Sequence, residues 1–327
     1  MNEQKKLRIA VFGAGHLGKI HIRCLLQSAQ YNLVGFYEPN QTIAEKVAKE
    51  FNIPYFSTAD ELIALTDVVD IVTPTFAHFD VALQALKADK HVFIEKPVTQ
   101  TVEQAERLLA EAEARNLKIA VGHVERFNPA LLALKGYDIA PKFIEAHRLS
   151  LFNARGTDVS VVLDLMIHDL DIVLHLMKSK VKTVQASGVA IVSSTADMVN
   201  ARLEFENGSV ANLTASRFSL KQMRKVRVFQ ADAYISMDFL EKKSEIINLF
   251  DENALTAAEK EDMMQLDTPK GAKFLKLAMP TPPAVNAILT ELDEFAIAII
   301  ADKMPAVSIH DGLEALRIAL MIEACCV

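Results

Sequence analysis

The run Leu7-Arg8-Ile9-Ala10-Val11-Phe12-Gly13-Ala14-Gly15-His16-Leu17-Gly18 decides the architecture of this chain. Residues 7–12 read as one apolar strand once Arg8 is set aside. Three glycines in the spacing GxGxxG follow at once, and an amphipathic helix continues through Leu26. In a strand–turn–helix unit that grips a dinucleotide, each glycine has its own duty. Gly13 makes the tight turn, Gly15 lets backbone approach a pyrophosphate, and Gly18 lets the helix pack close to the strand. His16 and Leu17 open that helix, whose unpaired N–H groups and positive dipole end favour phosphate.

A second strand, residues 31–37, ends in Glu38, about 20 residues past the last glycine, where the fingerprint wants an acid. A carboxylate there accepts ribose hydroxyls and repels a 2′-phosphate. Pro39-Asn40-Gln41 offers no arginine for that phosphate. The reading is NAD rather than NADP. The alternative is a glycine-rich turn that binds nothing, which strand, helix and acid together disfavour.

Alternation of strands and helices continues. Helices are expected at 42–51, 59–65, 77–88 and 98–115, and strands at 68–72, 92–94 and 118–121. Units of this length give a parallel sheet with helices on both faces, and ligands in such sheets sit where strands end. Two strand ends stand out. Strand 68–72 runs into Thr73-Pro74, expected near the nicotinamide, with His78 in the following helix as either a ligand contact or a cap neighbour. Strand 92–94 runs into Glu95-Lys96-Pro97, with Thr99 or Thr101 as N-cap of the next helix. Lys96 at the mouth of a sheet is a candidate for chemistry; taken alone it reads sooner as a solvated charge beside a turn.

After Gly122 the pattern changes. Strands are expected at 142–151, 181–192, 198–205, 209–218, 224–230 and 233–239, with Glu206-Asn207-Gly208 marking a hairpin. This reads as a mostly antiparallel sheet. Residues 251–283 read as a loop able to act as a lid, and helices 284–301 and 310–325 close the chain. The long helix 161–177 carries Asp164 and His168, four residues apart and therefore on one face. A carboxylate beside an imidazole orients the ring and raises its basicity, as a general base needs. A structural pair on a core helix is the competing reading. A metal held with His123 is another, which no ligand-dense motif supports.

Composition bounds these readings. The chain has 327 residues, 51% hydrophobic and 24% charged, with a formal charge of −7. Two domains of a globular protein are expected, 1–122 and 123–327, with the last helix free to pack back near the first. The negative charge gives no reason to expect nucleic acid or an anionic membrane. Cys24, Cys325 and Cys326 do not make a disulfide framework, and no role follows for the last two. No leader-like apolar core follows the N-terminal residues and no run is long enough to span a bilayer, so the cytoplasm is the expected location.

Taken together, Gly13/Gly15/Gly18, Glu38, Thr73-Pro74, Glu95-Lys96-Pro97 and Asp164-x-x-x-His168 resemble the Gfo/Idh/MocA oxidoreductases, the family of glucose–fructose oxidoreductase and inositol dehydrogenase. The likeness covers nearly the whole chain, and Glu95-Lys96-Pro97 is its most specific part. It implies an N-terminal Rossmann domain with a doubly wound parallel sheet and a C-terminal α/β domain whose large open sheet makes a homodimer or homotetramer. It implies Lys96 as a catalytic lysine, His168 as acid/base and Asp164 as a substrate-orienting residue; Glu95 is placed either to pair with Lys96 or to face the cofactor ribose. Two departures stand out: Thr157 to Leu163 lack the Gly-Gly that many members carry ahead of the aspartate, and Met166 replaces a glycine two residues before the histidine.

The stretch 122–129, Gly-His-Val-Glu-Arg-Phe-Asn-Pro, with Arg155-Gly156-Thr157-Asp158, looks most like the branch that oxidises C3 of UDP-N-acetylglucosamine-type nucleotide sugars. Arg126, Arg155 and Arg217 would supply donors to a pyrophosphate, with Asn128 beside them. Each arginine taken singly reads equally well as an ordinary salt bridge. The implied reaction passes a hydride from a secondary sugar alcohol to NAD while the hydroxyl proton goes to His168 or Lys96. A free lysine, with a pKa of about 10.4, is a poor base unless burial and the positive nicotinamide lower it. The alternatives are a dehydrogenase of a free sugar, polyol or inositol, and a non-catalytic NAD-binding regulator, which retention of Lys96, Asp164 and His168 disfavours.

Overall fold

The computed structural model describes residues 6–153, 159–269 and 271–326. The chain divides into two compact units. One is the chain up to Phe127 together with Asn286–Arg317; the other is Asn128–Val285 together with the chain from Ile318 onward. The division differs from a simple cut after 122, because the closing helices are shared out between the units.

The first unit begins with β1 (Leu7–Phe12), α1 (His16–Leu25), β2 (Tyr31–Tyr37), α2 (Gln41–Phe51), β3 (Tyr55–Phe56) and α3 (Ala59–Ala64). It continues with β4 (Val68–Ile71), α4 (Thr75–Lys87), β5 (His91–Glu95), α5 (Val102–Ala114) and β6 (Ile119–Gly122). All six strands are parallel, in the order β3-β2-β1-β4-β5-β6. That order reverses direction at β1/β4, the switch point where doubly wound sheets bind ligands. β4 and β6 are buried along their whole length, as parallel strands covered on both faces must be.

Three details depart from the expected boundaries. β3 is a two-residue strand too short to show a period. α5 begins at Val102, because Thr101 caps it by accepting the Gln104 N–H while the Thr99 hydroxyl donates to the Thr101 carbonyl. The Lys96–Pro97 peptide bond is cis.

The second unit contains α6 (Pro129–Leu132), β7 (Phe143–Leu149), a π turn at Val162–Met166 and α7 (Ile167–Met177). Then come β8 (Val181–Val189), β9 (Met198–Phe205), β10 (Val210–Ser216), β11 (Met223–Phe229), β12 (Ala233–Asp238) and β13 (Lys243–Asp251). A short helix α8 (Ala257–Lys260) precedes β14 (Met264–Thr268) and β15 (Gly271–Ala278). The nine strands run β14-β15-β13-β12-β11-β7-β10-β9-β8, antiparallel except for the β7/β10 pair. Inward residues at alternate positions, among them Ile144, Ala146, Leu203, Leu213, Val226 and Ile235, pack with Leu170, Ile172 and Val173 of α7 in one buried cluster. Asn207-Gly208 turns the β9/β10 hairpin, with Gly208 at φ +80°.

The expectation of a loop at 251–283 is corrected here. Most of it is α8 and the β14/β15 hairpin, which extends the sheet beyond β13, itself unforeseen. Phe274 is the buried anchor of β15, opposite Phe250. Lys273 and Lys276 on the same strand weaken the apolar alternation, although β15 is paired on both sides, with β14 and β13.

The chain ends with α9 (Ala287–Ile300) and α10 (Ile309–Cys325). Leu292, Phe295 and Ala296 of α9 complete the core of the first unit, with Phe295 against Phe93 of β5 at 6.1 Å between ring centroids. Gly312 seats the start of α10 on β6; a Cβ there would meet Val121 Cγ2 at 2.7 Å. Ile318, Ala319 and Ile322 of the same helix belong to the second unit's core.

Candidate active site

In the first unit the site is built from the C-terminal ends of β1, β4 and β5, neighbours across the switch point. The register pairs Phe12 with Ile71 and Ile71 with Ile94, so the glycine turn, Thr73 and Glu95-Lys96 leave the sheet side by side. The glycines do what their spacing predicts. Gly13, at φ +97°, lies so close to β4 that a Cβ would stand 2.8 Å from the Val72 carbonyl oxygen. A Cβ on Gly18 would stand 2.0 Å from the Gly13 carbonyl oxygen. On Gly15 it would meet nothing within 4 Å. Gly15 is exposed and caps α1 with no side chain, leaving the first N–H groups of the helix, at His16 and Leu17, open for a phosphate.

Glu38 reaches back over this turn. Its Oε2 accepts the Ala14 N–H at 2.9 Å and its Oε1 the Asn40 N–H at 3.1 Å. The Thr73 hydroxyl is buried and has no protein partner, whereas Pro74 is exposed at the N-cap of α4. An open glycine cradle, a fixed carboxylate and an orphan hydroxyl on one edge fit a dinucleotide cofactor.

His78 is buried, with Nε2 2.8 Å from the Thr73 carbonyl and Nδ1 3.0 Å from the Pro97 carbonyl. Burial holds its pKa below the usual histidine range, against the pull of those carbonyls and of Glu95. The ring thus braces two loops of the site against each other. Lys96 is half-buried, and its backbone N–H donates to Glu95 Oε2 at 3.2 Å. Gly122 exists to make room for that carboxylate; a Cβ would stand 2.7 Å from Glu95 Oε1.

Arg126 lies in a 3₁₀ turn at Val124–Phe127, is buried, and reaches Asp311 at 3.4 Å. Burial works against the Asp311 charge, but the Ser308 hydroxyl and N–H, helped by Arg126, leave its pKa below the ordinary value.

In the second unit, Asp164 lies in the π turn and His168 in the first turn of α7, both half-buried. π turns inside helices occur mostly at functional sites. Asn128 caps α6 by accepting the Ala130 N–H, and its Nδ2 donates to the Phe239 carbonyl. Arg217 is buried and donates to the Val159 carbonyl at 2.6 Å. Arg155 lies outside the described residues.

A residue that sequence reasoning missed is Arg148. It occupies an inward position of β7, in step with Ile144 and Ala146, and grips Asp169 through Nε–Oδ2 at 3.1 Å and Nη2–Oδ1 at 2.8 Å. The only hint in the sequence was that Arg148 keeps step with the apolar Ile144 and Ala146 of an alternating strand.

Among the described residues no helix is long and apolar enough to cross a membrane. Residues 7–123 match an oxidoreductase family with an NAD-binding Rossmann fold, and residues 144–235 match the C-terminal domain of the same Gfo/Idh/MocA family. The chain is 38% identical over 312 residues to a UDP-N-acetylglucosamine 3-dehydrogenase of Acidithiobacillus ferrooxidans, covering 86% of this chain and 98% of that one. A solved structure of that bacterium's UDP-N-acetylglucosamine 3-dehydrogenase superimposes with a TM-score of 0.88 at 34% identity, covering 99% of this chain and 98% of the other. A scyllo-inositol 2-dehydrogenase (NAD(+)) of Bacillus subtilis is 28% identical over 244 residues, 66% of this chain and 69% of the relative. With both domains matched and the dinucleotide cradle in place, this chain belongs to the Gfo/Idh/MocA oxidoreductases.

Proposed function

We propose that the protein is an NAD-dependent dehydrogenase that oxidises a secondary alcohol of a nucleotide sugar, at C3 of a compound of the UDP-N-acetylglucosamine type. What carries the reading is the 38% identity to an enzyme of that name over 98% of its length. The buried guanidiniums of Arg126 and Arg217, on an otherwise acidic protein, support a diphosphate-bearing substrate. Glu38 supports NAD over NADP, since its carboxylate is pinned beside the glycine turn by two N–H groups and would repel a 2′-phosphate there.

When bound, NAD supplies the acceptor for the substrate's hydride. The protein's own residues hold the substrate and manage its proton. Lys96 either polarises the hydroxyl oxygen as an ammonium ion or takes the proton as a neutral amine. His168 is the other proton acceptor, with Asp164 orienting the substrate. Glu95, whose Oε2 accepts the Lys96 N–H, fixes the backbone that carries the lysine.

The test is NADH formation by the purified protein with NAD and a panel of alcohols, UDP-N-acetylglucosamine first. Turnover confined to that compound supports the reading. Turnover confined to a free sugar, polyol or inositol replaces it with the second reading, which the likeness to the NAD-dependent scyllo-inositol enzyme favours. NAD binding without turnover on any alcohol would favour a regulator. The reading extends to a homo-oligomer through the nine-stranded sheet, where Met264, Leu266 and Leu277 are exposed. Sedimentation showing a monomer at micromolar concentration would remove that part.

A further inference from the structure

Behind the Lys96 loop lie four buried ionisable groups from four elements of the first unit: His21 of α1, Asp70 of β4, Glu95 of β5 and Glu291 of α9. His21 and Asp70 have no exposed surface. The imidazole is the centre of the group. Its Nδ1 lies 2.9 Å from Asp70 Oδ2 and its Nε2 3.2 Å from Glu95 Oε1. The Nδ1 contact is a hydrogen bond, whereas Nε2 approaches Glu95 at ion-pair distance without hydrogen-bond alignment; a carboxylate oxygen facing each nitrogen favours the imidazolium, which carries an N–H on both. Among the described residues no group of three His, Cys, Asp or Glu side chains is disposed to hold a metal ion.

We propose that His21 is a positioning residue for the dehydrogenase reaction: as an imidazolium between Asp70 and Glu95, it offsets the charge of Glu95 and fixes that side chain, and through Glu95 it holds Lys96 in place and sets the pH at which Lys96 works. The proposal rests on the catalytic reading of Lys96.

The chain of contacts is continuous. Asp70 orients His21; His21 meets one oxygen of Glu95; the other oxygen of Glu95 accepts the Lys96 N–H. The groups facing His21 account for its charge. Burial alone opposes the imidazolium, but Asp70 and Glu95 outweigh it and hold its pKa well above the usual histidine range. Asp70 is pushed up by complete burial and drawn back by His21.

Glu291 completes the balance. Both its oxygens are buried without a partner, and burial, with Glu95 and Asp70 nearby, raises its pKa well above the carboxylate range. Burial thus biases Glu291 toward its neutral form, while His21 lies between Asp70 and Glu95. Cys24 one turn further along α1 and Tyr31 on β2 beside Asp70 are likewise kept neutral by burial.

Two experiments test this, one of which needs no turnover. In the intact protein with ¹⁵N-labelled histidine, NMR is expected to show His21 protonated on both ring nitrogens at neutral pH and into the alkaline range. A neutral His21 at pH 7 overturns the proposal, and does so whether or not the nucleotide-sugar reading holds.

The second experiment is the pH profile of kcat in His21→Gln, with NAD binding measured alongside. NAD affinity stays within twofold, because the glycine turn and Glu38 are untouched, while kcat falls about tenfold to a hundredfold, as expected when a catalytic group is misplaced. The pH at which the oxidation rate rises moves upward, because an uncompensated Glu95 favours the ammonium form of Lys96. If His21→Gln does not fold, His21→Gln/Asp70→Asn removes the cation together with its carboxylate partner; the same fall in kcat is expected, with a smaller upward shift in pH because the net charge of the group is unchanged. A profile superimposable on the wild type, or a kcat lowered with no shift in pH, means that His21 is only structural.

Discussion

Arg148 and Asp169 form a two-point ion pair in the interior of the second unit, with both side chains less than 5% exposed. The aspartate directly follows His168 in α7. The pair therefore ties the helix turn that carries the proposed acid/base to β7 of the sheet. Removing one partner leaves the other charge buried without this ion pair. Arg148→Met is expected to destabilise the protein by about 3–5 kcal/mol, whereas the double replacement Arg148→Met/Asp169→Leu recovers most of that loss. Urea denaturation of the two variants checks this; equal destabilisation in both would show that packing, not charge, dominates the site.

Lys96→Ala is expected to lower kcat by about 10²–10⁴-fold with the affinity for NAD little changed. The glycine turn and Glu38 lie on other strand ends and do not depend on the lysine. NAD titration beside steady-state rates separates the two quantities. Unaltered turnover would remove Lys96 from the chemistry.

Two glycines of one motif should behave differently. Gly18→Ala drives a methyl into the backbone carbonyl of Gly13 and should cost at least the upper end of the usual 1–3 kcal/mol of overpacking, or prevent folding. Gly15→Ala meets nothing, so Tm should hold while NAD affinity falls by about tenfold through loss of close backbone approach. Thermal melts with and without NAD distinguish the effects.

Glu38→Ser should relax the choice of cofactor. The 2′-phosphate is no longer repelled, so the ratio of kcat/KM for NAD to that for NADP should fall by at least tenfold, at the cost of the Ala14 N–H bond. An unchanged ratio would place discrimination elsewhere.

Glu291 makes stability depend on pH. Its folded pKa is raised, so the folded state retains a proton that the unfolded chain has lost. Its contribution is greatest below the ordinary glutamate range and is lost as pH rises toward the raised value. Glu291→Gln carries no ionisable proton and should show a smaller fall in Tm between pH 5 and pH 8 than the wild type. Parallel slopes for the two proteins would contradict this.

The first unit was readable because its features are local. GxGxxG, Glu38 and the strand ends at Thr73 and Lys96 each lie within a few residues of a strand whose apolar run is continuous. The His21 cluster was not readable. His21, Asp70, Glu95 and Glu291 lie on four separate elements, and only the β1-β4-β5 order brings three of them together. Arg148 was hidden because alternation alone does not say which face of β7 is inward. The β14/β15 hairpin was hidden by the lysines that interrupt the apolar alternation of β15, and α9 was foreseen as a helix without any sign that it completes the first unit.

That last feature bears on how the protein is made. Leu292, Phe295 and Ala296 belong to the first unit's core, yet they leave the ribosome after the whole of Asn128–Val285. Domains usually fold as units in the order of synthesis. Here the nucleotide-binding half begins first and is finished nearly last, with Phe93 awaiting Phe295 while the nine-stranded sheet is translated. A chain halted anywhere before α9 would present an unfilled apolar surface on its oldest domain, and chaperone binding to such nascent chains should persist until residue 300 has emerged.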